Sequence, residues 1–544
     1  MRLIVIGAVA AGTSAAAKAR RNDDNAEIVI YEKDRDISYS GCGLPYYIGK
    51  EIEDIGELTP RDSAFFKKKY NIDVFTGYEV LNINPDLKEV EVKNLNTNEV
   101  FKDKYDKLII ATGASPFIPQ INGVNNDNLF FLRNVQSARN IRNFIDTKKP
   151  KHAVIAGTGF IGFEMLENLM GDGVNVTIVE MQNKITPNLD EDMAKFLENT
   201  LIKKKINIIK NSTIAKVDHE SVTLNDNTVL KSDMVIMATG VRPNTELARE
   251  AGIEIGVTKA IKVNNKMQTN ISDIYACGDC IETFSTITGK PIYRPLGSTA
   301  NKTGRIAGDN ISGGNLEYRG NLSTGIFKLF DMTIANTGLS EKEAIEEGYD
   351  IQICHNIKPD KPSYFHGKEM IIKAIADKKT QRILGVQIIG YEGVDKRIDV
   401  FATLITYKAK VDELFHLDLA YAPPFSTTKD PVHYTGMILD NAINHNRPII
   451  TAKELKKLVG IGEKVQIIDA RVSKQYDEAH VDNAVNIPHK NLRDSMEILD
   501  KDAVVVTYCN KGVTGNAAQN IFINHGYKKV YNLSGGHKFY NGSK

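Results

Sequence analysis

Apolar runs followed by glycine recur along the chain and predict the buried strands of parallel sheets. Residues 3–6 form such a run, which leads into a glycine-rich turn, an alanine-rich helix and a second apolar strand that ends at Glu32. The same order returns at residues 151–180, where the second strand ends at Glu180. A strand, a glycine turn, a helix and a strand form the βαβ unit of a dinucleotide-binding domain. We therefore predict two Rossmann-like domains in an α/β protein.

The two glycine turns predict bound dinucleotides. Glycine lets a pyrophosphate approach the backbone at a helix N-terminus, and an acid that ends the second strand can bond ribose hydroxyls. Val9 stands at the middle position of the first turn, whereas the second turn has all three glycines. Two such units in one chain predict a flavin paired with a nicotinamide. Because the Glu180 carboxylate would repel a 2′-phosphate, we expect NADH.

Composition narrows the class of protein. A chain of 544 residues is too long for one core, and its net charge of +1 gives no support for nucleic acid as a partner. Apolar runs are too short to span a bilayer, and Met1 leads directly into the first strand, so we expect a cytoplasmic protein. Five cysteines are sparse and odd in number, which argues against a disulfide framework. Each cysteine is therefore a separate candidate for a redox or nucleophilic role.

Cys42 is the candidate reaction centre. It lies between two glycines at the start of a segment that can become a helix after Pro45. Backbone N–H groups and the positive end of a helix dipole favour the thiolate form of such a cysteine. We therefore predict a reactive thiolate at this position.

Further strings identify a family. Residues 109–114 and 235–243 each form an apolar strand with a small-residue turn, and residues 274–279 place an acid after a short strand. In this order they resemble the flavoprotein disulfide reductases with two dinucleotide-binding domains. The resemblance implies an FAD domain at 1–115 and 241–322, an inserted NAD domain at 116–240 and an α+β dimerisation domain at 323–445. The candidate cofactor positions are Gly7, Val9, Ala10, Gly12, Glu32, Lys33, Thr112, Gly113, Gly157, Gly159, Gly162, Glu180, Gly240 and Asp279.

The single cysteine selects a branch of this family. Glutathione-type members carry a second cysteine where Tyr47 stands, so Cys42 must cycle through a sulfenic acid or a mixed disulfide. Single-cysteine oxidases and peroxidases of similar sequence carry a histidine where this chain has Ala10. The chain more closely resembles coenzyme A disulfide reductase, through the spacing of Ser38 and Cys42 and the strings at 395–400 and 421–426.

The resemblance also implies substrate positions. It places coenzyme A against Lys18, Arg21, Ser38 and Lys429, and Asn301 stands where the pattern has histidine. Lys69 closes a basic run that suits the phosphates of coenzyme A, although a solvated surface explains the run equally well. In a homodimer with shared active sites, Tyr364 and Tyr421 would face Cys42 of the partner subunit. Each is a candidate proton donor to a departing thiolate, with interface packing as the alternative.

Three other cysteines have weaker patterns. Cys277 and Cys280 have the spacing of a dithiol, but the resemblance gives Asp279 to the flavin and leaves Cys277 in the core. Cys354 has no nucleophilic or metal pattern around it, and we interpret it as structural.

The last ninety residues carry a different set of sequence motifs and resemble a rhodanese domain at 455–544. Cys509 follows a buried strand and opens a loop that can aim several backbone N–H groups at its sulfur. Such a site can hold a persulfide. Rhodaneses usually have arginine where Thr514 stands, so a regulatory or docking role is an alternative.

The sequence therefore predicts an enzyme that uses FAD and NADH to reduce a sulfur–sulfur bond of coenzyme A persulfide, coenzyme A disulfide or a polysulfide. Cys42 attacks the substrate, and Cys509 carries sulfane sulfur to or from coenzyme A. The alternatives are an NADH oxidase or peroxidase, and a redox sensor whose rhodanese domain has no catalytic role.

Overall fold

The computed structural model describes residues 1–544, except for the side chains at 497 and 498. The chain divides into two compact units. Residues 1–183 and 207–321 form the first unit, and residues 184–206 and 322–544 form the second.

The first unit contains two parallel sheets of five strands. One has the order Ile274–Ala276, Lys107–Ile110, Arg2–Ile6, Glu27–Glu32 and Asp73–Thr76. The other has the order Asn207–Ile209, Asn175–Val179, His152–Ala156, Met234–Met237 and Leu129–Phe130. Their central strands are fully buried, which explains why the sequence shows continuous apolar runs rather than alternation.

Helices and small antiparallel sheets complete the first unit. The helices and 3-10 turns are Ala10–Asn22, Gly41–Gly43, Leu44–Ile48, Ile55–Leu58, Ser63–Tyr70, Val135–Lys148, Phe160–Gly171, Glu246–Glu250 and Gly297–Ile311. The antiparallel strands are Tyr78–Asn84, Glu89–Asn94, Val100–Lys104, Ala114–Pro116, Ile214–Val217, Ser221–Leu224, Val229–Lys231, Val241–Pro243, Thr283–Phe284 and Pro291–Ile292.

The second unit joins an antiparallel sheet to a parallel one. The antiparallel sheet has the order Gly325–Leu329, Met332–Gly338, Ile383–Gly390, Glu369–Asp377 and Ile351–Pro359. The parallel sheet near the C-terminus has the order Ile449–Ile450, Val530–Leu533, Val504–Tyr508, Val465–Asp469 and Ala484–Asn486. The helices and 3-10 turns are Glu191–Lys203, Glu341–Glu346, Ser363–Phe365, Val394–Thr406, Asp412–His416, Pro431–Asn444, Ala452–Gly460, Ser473–Glu478, His489–Ile498, Val513–Asn524 and Gly536–Gly542.

The predicted fold class is confirmed. Two Rossmann-like sheets, a mixed α+β region and a C-terminal parallel sheet flanked by helices are all present. The residues at which each domain begins and ends stay a prediction.

A buried charge cluster holds the second unit together. The ammonium group of Lys373 is fully buried and lies 3.1 Å from Asp190, 2.9 Å from Asp192 and 2.8 Å from Glu341. Although burial alone would raise the pKa of Asp192, the charges of Lys373 and His355 hold it well below its usual value. The cluster therefore favours the ionised form of Asp192, whereas burial raises the pKa of Asp190.

His355 connects this cluster to the C-terminal domain. Its Nε2 lies 2.8 Å from Asp192, its Nδ1 lies 3.0 Å from the hydroxyl of Ser534, and its ring stacks on Phe539 with a centroid distance of 4.0 Å. Because His355, Ser534 and Phe539 are all buried, the contacts of His355 with Ser534 and Phe539 fix the C-terminal domain against the strand Ile351–Pro359.

Replacing Lys373 with methionine should strongly destabilise the second unit. The change leaves the buried carboxylate of Asp190 and the partly buried carboxylates of Asp192 and Glu341 without their cation. Breaking a buried ion pair in this way costs about 3–5 kcal/mol. Lys378→Met is the matched control, since Lys378 follows the same strand but pairs with Asp350 on the surface, where a pair contributes about 0–1 kcal/mol. Urea denaturation of both variants measures the difference, and equal midpoints would contradict the role given to the cluster.

Candidate functional site

The first glycine turn has a backbone that a side chain would obstruct. Gly7 has φ +106°, and a Cβ atom there would lie 2.3 Å from the carbonyl oxygen of Ala111. A Cβ at Gly12 would lie 1.9 Å from the carbonyl oxygen of Gly7. The turn and the helix Ala10–Asn22 thus approach each other as closely as glycine permits, which brings the helix N-terminus to the end of the strand.

The second turn repeats this geometry. Gly157 has φ +104°, and its added Cβ would lie 2.4 Å from the carbonyl oxygen of Ala238, while one at Gly162 would lie 2.2 Å from that of Gly157. A Cβ at Gly159 would meet nothing within 4 Å. The middle position therefore faces open space, which explains how the first turn can accommodate Val9. Both turns fit a dinucleotide, because each leaves its helix N-terminus accessible to a pyrophosphate.

The two acids have a structural task that the sequence pattern did not predict. Glu32 accepts hydrogen bonds from the N–H of Ala8 at 2.7 Å and of Asp34 at 3.0 Å. Glu180 accepts from the N–H of Thr158 at 3.1 Å and of Gln182 at 2.9 Å. Each buried carboxylate therefore fixes its own glycine turn. A carboxylate has about four acceptor sites, so capacity for ribose hydroxyls remains.

Asp279 has a basic neighbour that sequence reasoning missed. The guanidinium of Arg133 lies 3.8 Å from its carboxylate, yet burial still raises the pKa of Asp279.

The other predicted cofactor positions lie near strand ends or on the surface. Gly113 and Gly240 have positive φ of +68° and +93°. The hydroxyl of Thr112 donates to the carbonyl oxygen of Asn244, and Lys33 is exposed. Their roles toward cofactors stay predictions.

Cys42 lies in the 3-10 turn Gly41–Gly43, which continues into the helix Leu44–Ile48. Its side chain is exposed, so a substrate can reach the sulfur. The expected low pKa is wrong for the protein alone: partial burial raises the pKa of the thiol, and the negative charges of Glu164 and Asp279 raise it further. A bound group that carries positive charge or donates a hydrogen bond would lower this pKa.

Glu164 is a second residue that the sequence did not single out as part of the site. It lies on the helix Phe160–Gly171, two positions after Gly162. Burial, followed by the charge of Glu167, raises its pKa to about 7. A carboxyl group near Cys42 that titrates around neutral pH can take up or release a proton there. Its position after the last glycine of the second turn was the available sequence signal.

The other cysteines of the first unit are inaccessible. Cys277 and Cys280 are completely buried, and the Cys280 sulfur lies 3.2 Å from the carbonyl oxygen of Cys277. Burial raises the pKa of both thiols. This geometry favours the structural interpretation over a dithiol. In the second unit Cys354 is also fully buried, and burial raises its pKa to about 12.

Three of the predicted coenzyme A positions lie on two helices that pack together, Ala10–Asn22 and Gly297–Ile311. The charge of Lys18 is already paired, since its ammonium lies 2.8 Å from Asp309. Arg21 is exposed and has no ion pair within the described part of the chain, which leaves it available to a phosphate. The side-chain amide of Asn301 donates to the carbonyl oxygen of Gly297.

The remaining predicted contacts are spread over both units. In the first unit, Ser38 has a left-handed φ of +49° and donates its N–H to the carbonyl oxygen of Ala8, next to the first turn. Lys69 lies over the ring of Phe65 at 5.3 Å. In the second unit, Lys429 lies 5.6 Å from the ring centre of Tyr434.

The candidate proton donors are exposed tyrosines of the second unit. Tyr364 and Tyr421 are 68% and 47% exposed, and neither hydroxyl has a hydrogen bond to a described residue. Such side chains do not belong to a core within one subunit. The segment that carries Tyr421 is anchored by a buried contact between Arg397 and Asp430 at 2.8 Å, to which Ser426 adds a hydrogen bond of 2.7 Å. This contact joins the two strings at 395–400 and 421–426.

Cys509 directly follows the strand Val504–Tyr508 and is buried. The sequence predicted several backbone donors to its sulfur, and the structure shows the N–H of Gly512 at 3.2 Å from Sγ. Gly512 has φ +96° and precedes the helix Val513–Asn524, so the turn places the thiol near a helix N-terminus. Thr514 is exposed on this helix. A cavity of about 690 Å³ adjoins Cys509.

Comparisons with known proteins agree with this architecture. Residues 1–295 match the family described as pyridine nucleotide-disulphide oxidoreductase, residues 325–431 match its dimerisation domain, and residues 451–541 match the rhodanese-like domain. Among the described residues, no helix is both long and apolar enough to cross a membrane.

Several proteins are similar over most of their length. The chain is 37% identical to an NADH oxidase from Methanocaldococcus jannaschii, over 79% of this chain and 97% of that one. It is 35% identical to an NAD(P)H coenzyme A polysulfide/persulfide reductase from Pyrococcus horikoshii, over 80% and 98%. The crystal structure of reduced CoADR-RHD from Bacillus anthracis matches with a TM-score of 0.96 and 36% identity, over 100% of this chain and 98% of that one. The chain therefore belongs to the pyridine nucleotide-disulphide oxidoreductase family, whose enzymes depend on FAD and NAD(P)H, and it carries a C-terminal rhodanese-like domain.

Proposed function

We propose that this enzyme uses NADH to reduce a sulfur–sulfur bond of coenzyme A persulfide, coenzyme A disulfide or a polysulfide at Cys42. The observation that carries the proposal is that Cys42 is an exposed thiol, whereas the four other cysteines are buried. A single accessible sulfur forms a mixed disulfide with its substrate rather than an internal disulfide. The similar protein from Pyrococcus horikoshii, named as a coenzyme A polysulfide/persulfide reductase, supports this substrate class.

The first chemical step, attack on the substrate sulfur, uses side chains of the protein. Cys42 attacks one sulfur of the substrate and forms a mixed disulfide, while the other sulfur leaves as a thiolate or sulfide. Glu164 can hold the proton that the thiol loses, because its pKa of about 7 lets it exchange protons at neutral pH. FAD held at the turn that contains Gly7 and Gly12 would supply the electron pair of NADH needed to cleave the mixed disulfide.

Proton delivery and substrate binding involve exposed groups. Tyr364 and Tyr421 protonate the departing thiolate across the interface of a homodimer, and their free hydroxyls support this role. Arg21 binds a phosphate of coenzyme A, since its guanidinium is exposed and unpaired within the described chain. Glu180 favours NADH over NADPH by charge repulsion. Cytoplasmic location agrees with the need for reduced thiols.

The C-terminal domain supplies a second sulfur site. Cys509 accepts sulfane sulfur as a persulfide, which the N–H of Gly512 stabilises, and passes it to or from coenzyme A. This domain has no nucleotide-binding turn of its own, so its sulfur must reach Cys42 to be reduced.

NADH oxidase activity is the second candidate, because a similar protein from Methanocaldococcus jannaschii has that name. Ala10 argues against it, since oxidases of similar sequence carry a histidine there. Oxygen uptake with NADH, compared with NADH oxidation by anaerobic coenzyme A persulfide, decides between the two. A redox sensor would catalyse neither oxygen reduction nor persulfide reduction.

Cys42→Ser should retain FAD and its reduction by NADH but lose reduction of coenzyme A persulfide by several orders of magnitude. The variant lacks the nucleophile, whereas the glycine turns are unchanged. Flavin absorbance under anaerobic NADH is the internal control, and NADH oxidation with the persulfide is the test. Near wild-type turnover would refute the assignment.

Cys509→Ser should leave reduction of preformed coenzyme A persulfide largely intact but suppress sulfide release from donors that must first load Cys509. Sulfide produced per NADH consumed, measured with each donor, separates these steps. Equal loss with every donor would indicate a structural role for the domain. No loss with any donor would mean that Cys42 meets its substrates directly.

A further inference from the structure

The cavity beside Cys509 is shared by two domains of the second unit. The rhodanese-like domain supplies most of its wall, and the strand Ile351–Pro359 of the dimerisation region supplies the rest. His355 and Ser534 hold these two parts together close to the cavity, so its wall is a fixed feature of the fold. The rhodanese-like site is therefore incomplete without the neighbouring domain.

The charged side chains that line the cavity are all basic. They are Lys358, Arg471, Lys490 and Lys511. Arg471 is buried against Asp469, and Lys511 pairs with Glu369. Lys358 and Lys490 have no ion pair with any described residue, so their charges are available to a ligand.

Lys358 lies on the wall of the cavity that adjoins Cys509. Its ammonium lies 3.6 Å from the ring centre of Tyr434, a contact that fixes the side chain. Burial and the nearby Lys511 lower its pKa, while the charge of the Cys509 thiolate opposes this effect. Lys358 and Cys509 belong to different domains but line the same cavity.

The size of the cavity argues against a small inorganic donor. Its volume of about 690 Å³ corresponds to roughly 20 water molecules at about 30 Å³ each, whereas thiosulfate has only five atoms. Val472 and Val513 expose apolar surface on its wall, at 58% and 57%. A ligand that fits has a long, partly apolar arm and an anionic end.

We propose that this cavity binds the sulfur-exchange partner of Cys509, and that the partner is an organic persulfide whose thiol-bearing arm ends in phosphate groups. Lys358 and Lys490 bind the phosphates as point charges, and the arm reaches Cys509 along the two valines. The loop that follows Cys509 has little free positive charge, because Thr514 is uncharged and Lys511 is paired with Glu369. Lys358 of the dimerisation region supplies the positive charge that this loop lacks. The proposal rests on the proposed function, in which Cys509 carries sulfane sulfur and coenzyme A is the phosphate-bearing thiol.

The transfer step is balanced without an oxidant or reductant. The Cys509 thiolate uses one electron pair to bond the outer sulfur of R–S–SH, and the sulfur–sulfur bond of R–S–SH breaks with its electron pair on the thiolate R–S⁻. Cys509–S–SH keeps the proton of the outer sulfur.

The test compares two persulfides that share the same arm. Coenzyme A persulfide carries the phosphates, and pantetheine persulfide lacks them. Cyanide accepts the sulfur from Cys509 and forms thiocyanate, and a Cys42→Ser background removes the other reactive thiol. The full chain with this change alone should use coenzyme A persulfide at least about tenfold better in kcat/KM, with a preference that falls as salt rises.

Two lysine substitutions test which side chains bind the phosphates. Added to the background, Lys358→Gln and Lys490→Gln should each reduce kcat/KM for coenzyme A persulfide while leaving that for pantetheine persulfide unchanged. Lys528→Gln is the matched control, because Lys528 is an exposed lysine of the same domain outside the cavity wall, and it should keep the preference. Cys509→Ser gives the rate of the uncatalysed reaction to subtract.

The outcomes distinguish the ligand assigned to the cavity from the role of Cys509 in sulfur transfer. Equal use of the two donors by the background enzyme, or an unchanged preference in Lys358→Gln, would overturn the cavity assignment and leave the role of Cys509 standing. Thiocyanate formation that Cys509→Ser does not reduce with either donor would overturn the role of Cys509 itself, and the cavity assignment with it.

Discussion

The close backbone contact between each glycine turn and the neighbouring strand end is the constraint on which the first unit depends. At Gly7 and Gly157 an added Cβ would collide with the carbonyl oxygens of Ala111 and Ala238. Only glycine permits this approach at a positive φ. The contact brings the helix N-terminus to the top of the sheet, where backbone N–H groups can bind a pyrophosphate. The geometry of both nucleotide-binding turns follows from it.

Much of this architecture could be predicted from local patterns. The two turns, their acids and the lone Cys42 are signalled by residues that are neighbours in sequence, since strand and helix positions follow from periodicity and glycine. The pKa of Cys42 could not be predicted in this way. Glu164 and Asp279 act on the thiol through space from distant parts of the chain, and a motif does not report such charges.

The same limit applies to the second unit. Cys509 and its loop were recognisable, but the contribution of Lys358 depends on a contact between two domains. The buried position of Lys373 is a further example, because its partners Asp190 and Glu341 are remote in sequence from the strand that carries it. Lysines are common on surfaces, so burial of one among carboxylates has no signal in a single sequence.

The central claim is that Cys42 forms a mixed disulfide with coenzyme A, and mass spectrometry of peptides from the digested, unreduced subunit tests it most directly. Protein incubated with coenzyme A disulfide without NADH, then denatured without reductant, should gain the mass of one coenzyme A on a peptide that contains Cys42. Dithiothreitol should release it, and the Cys42→Ser variant should gain nothing at that peptide. An unmodified Cys42 peptide in the wild-type enzyme, or an adduct that persists in the variant, would contradict the account.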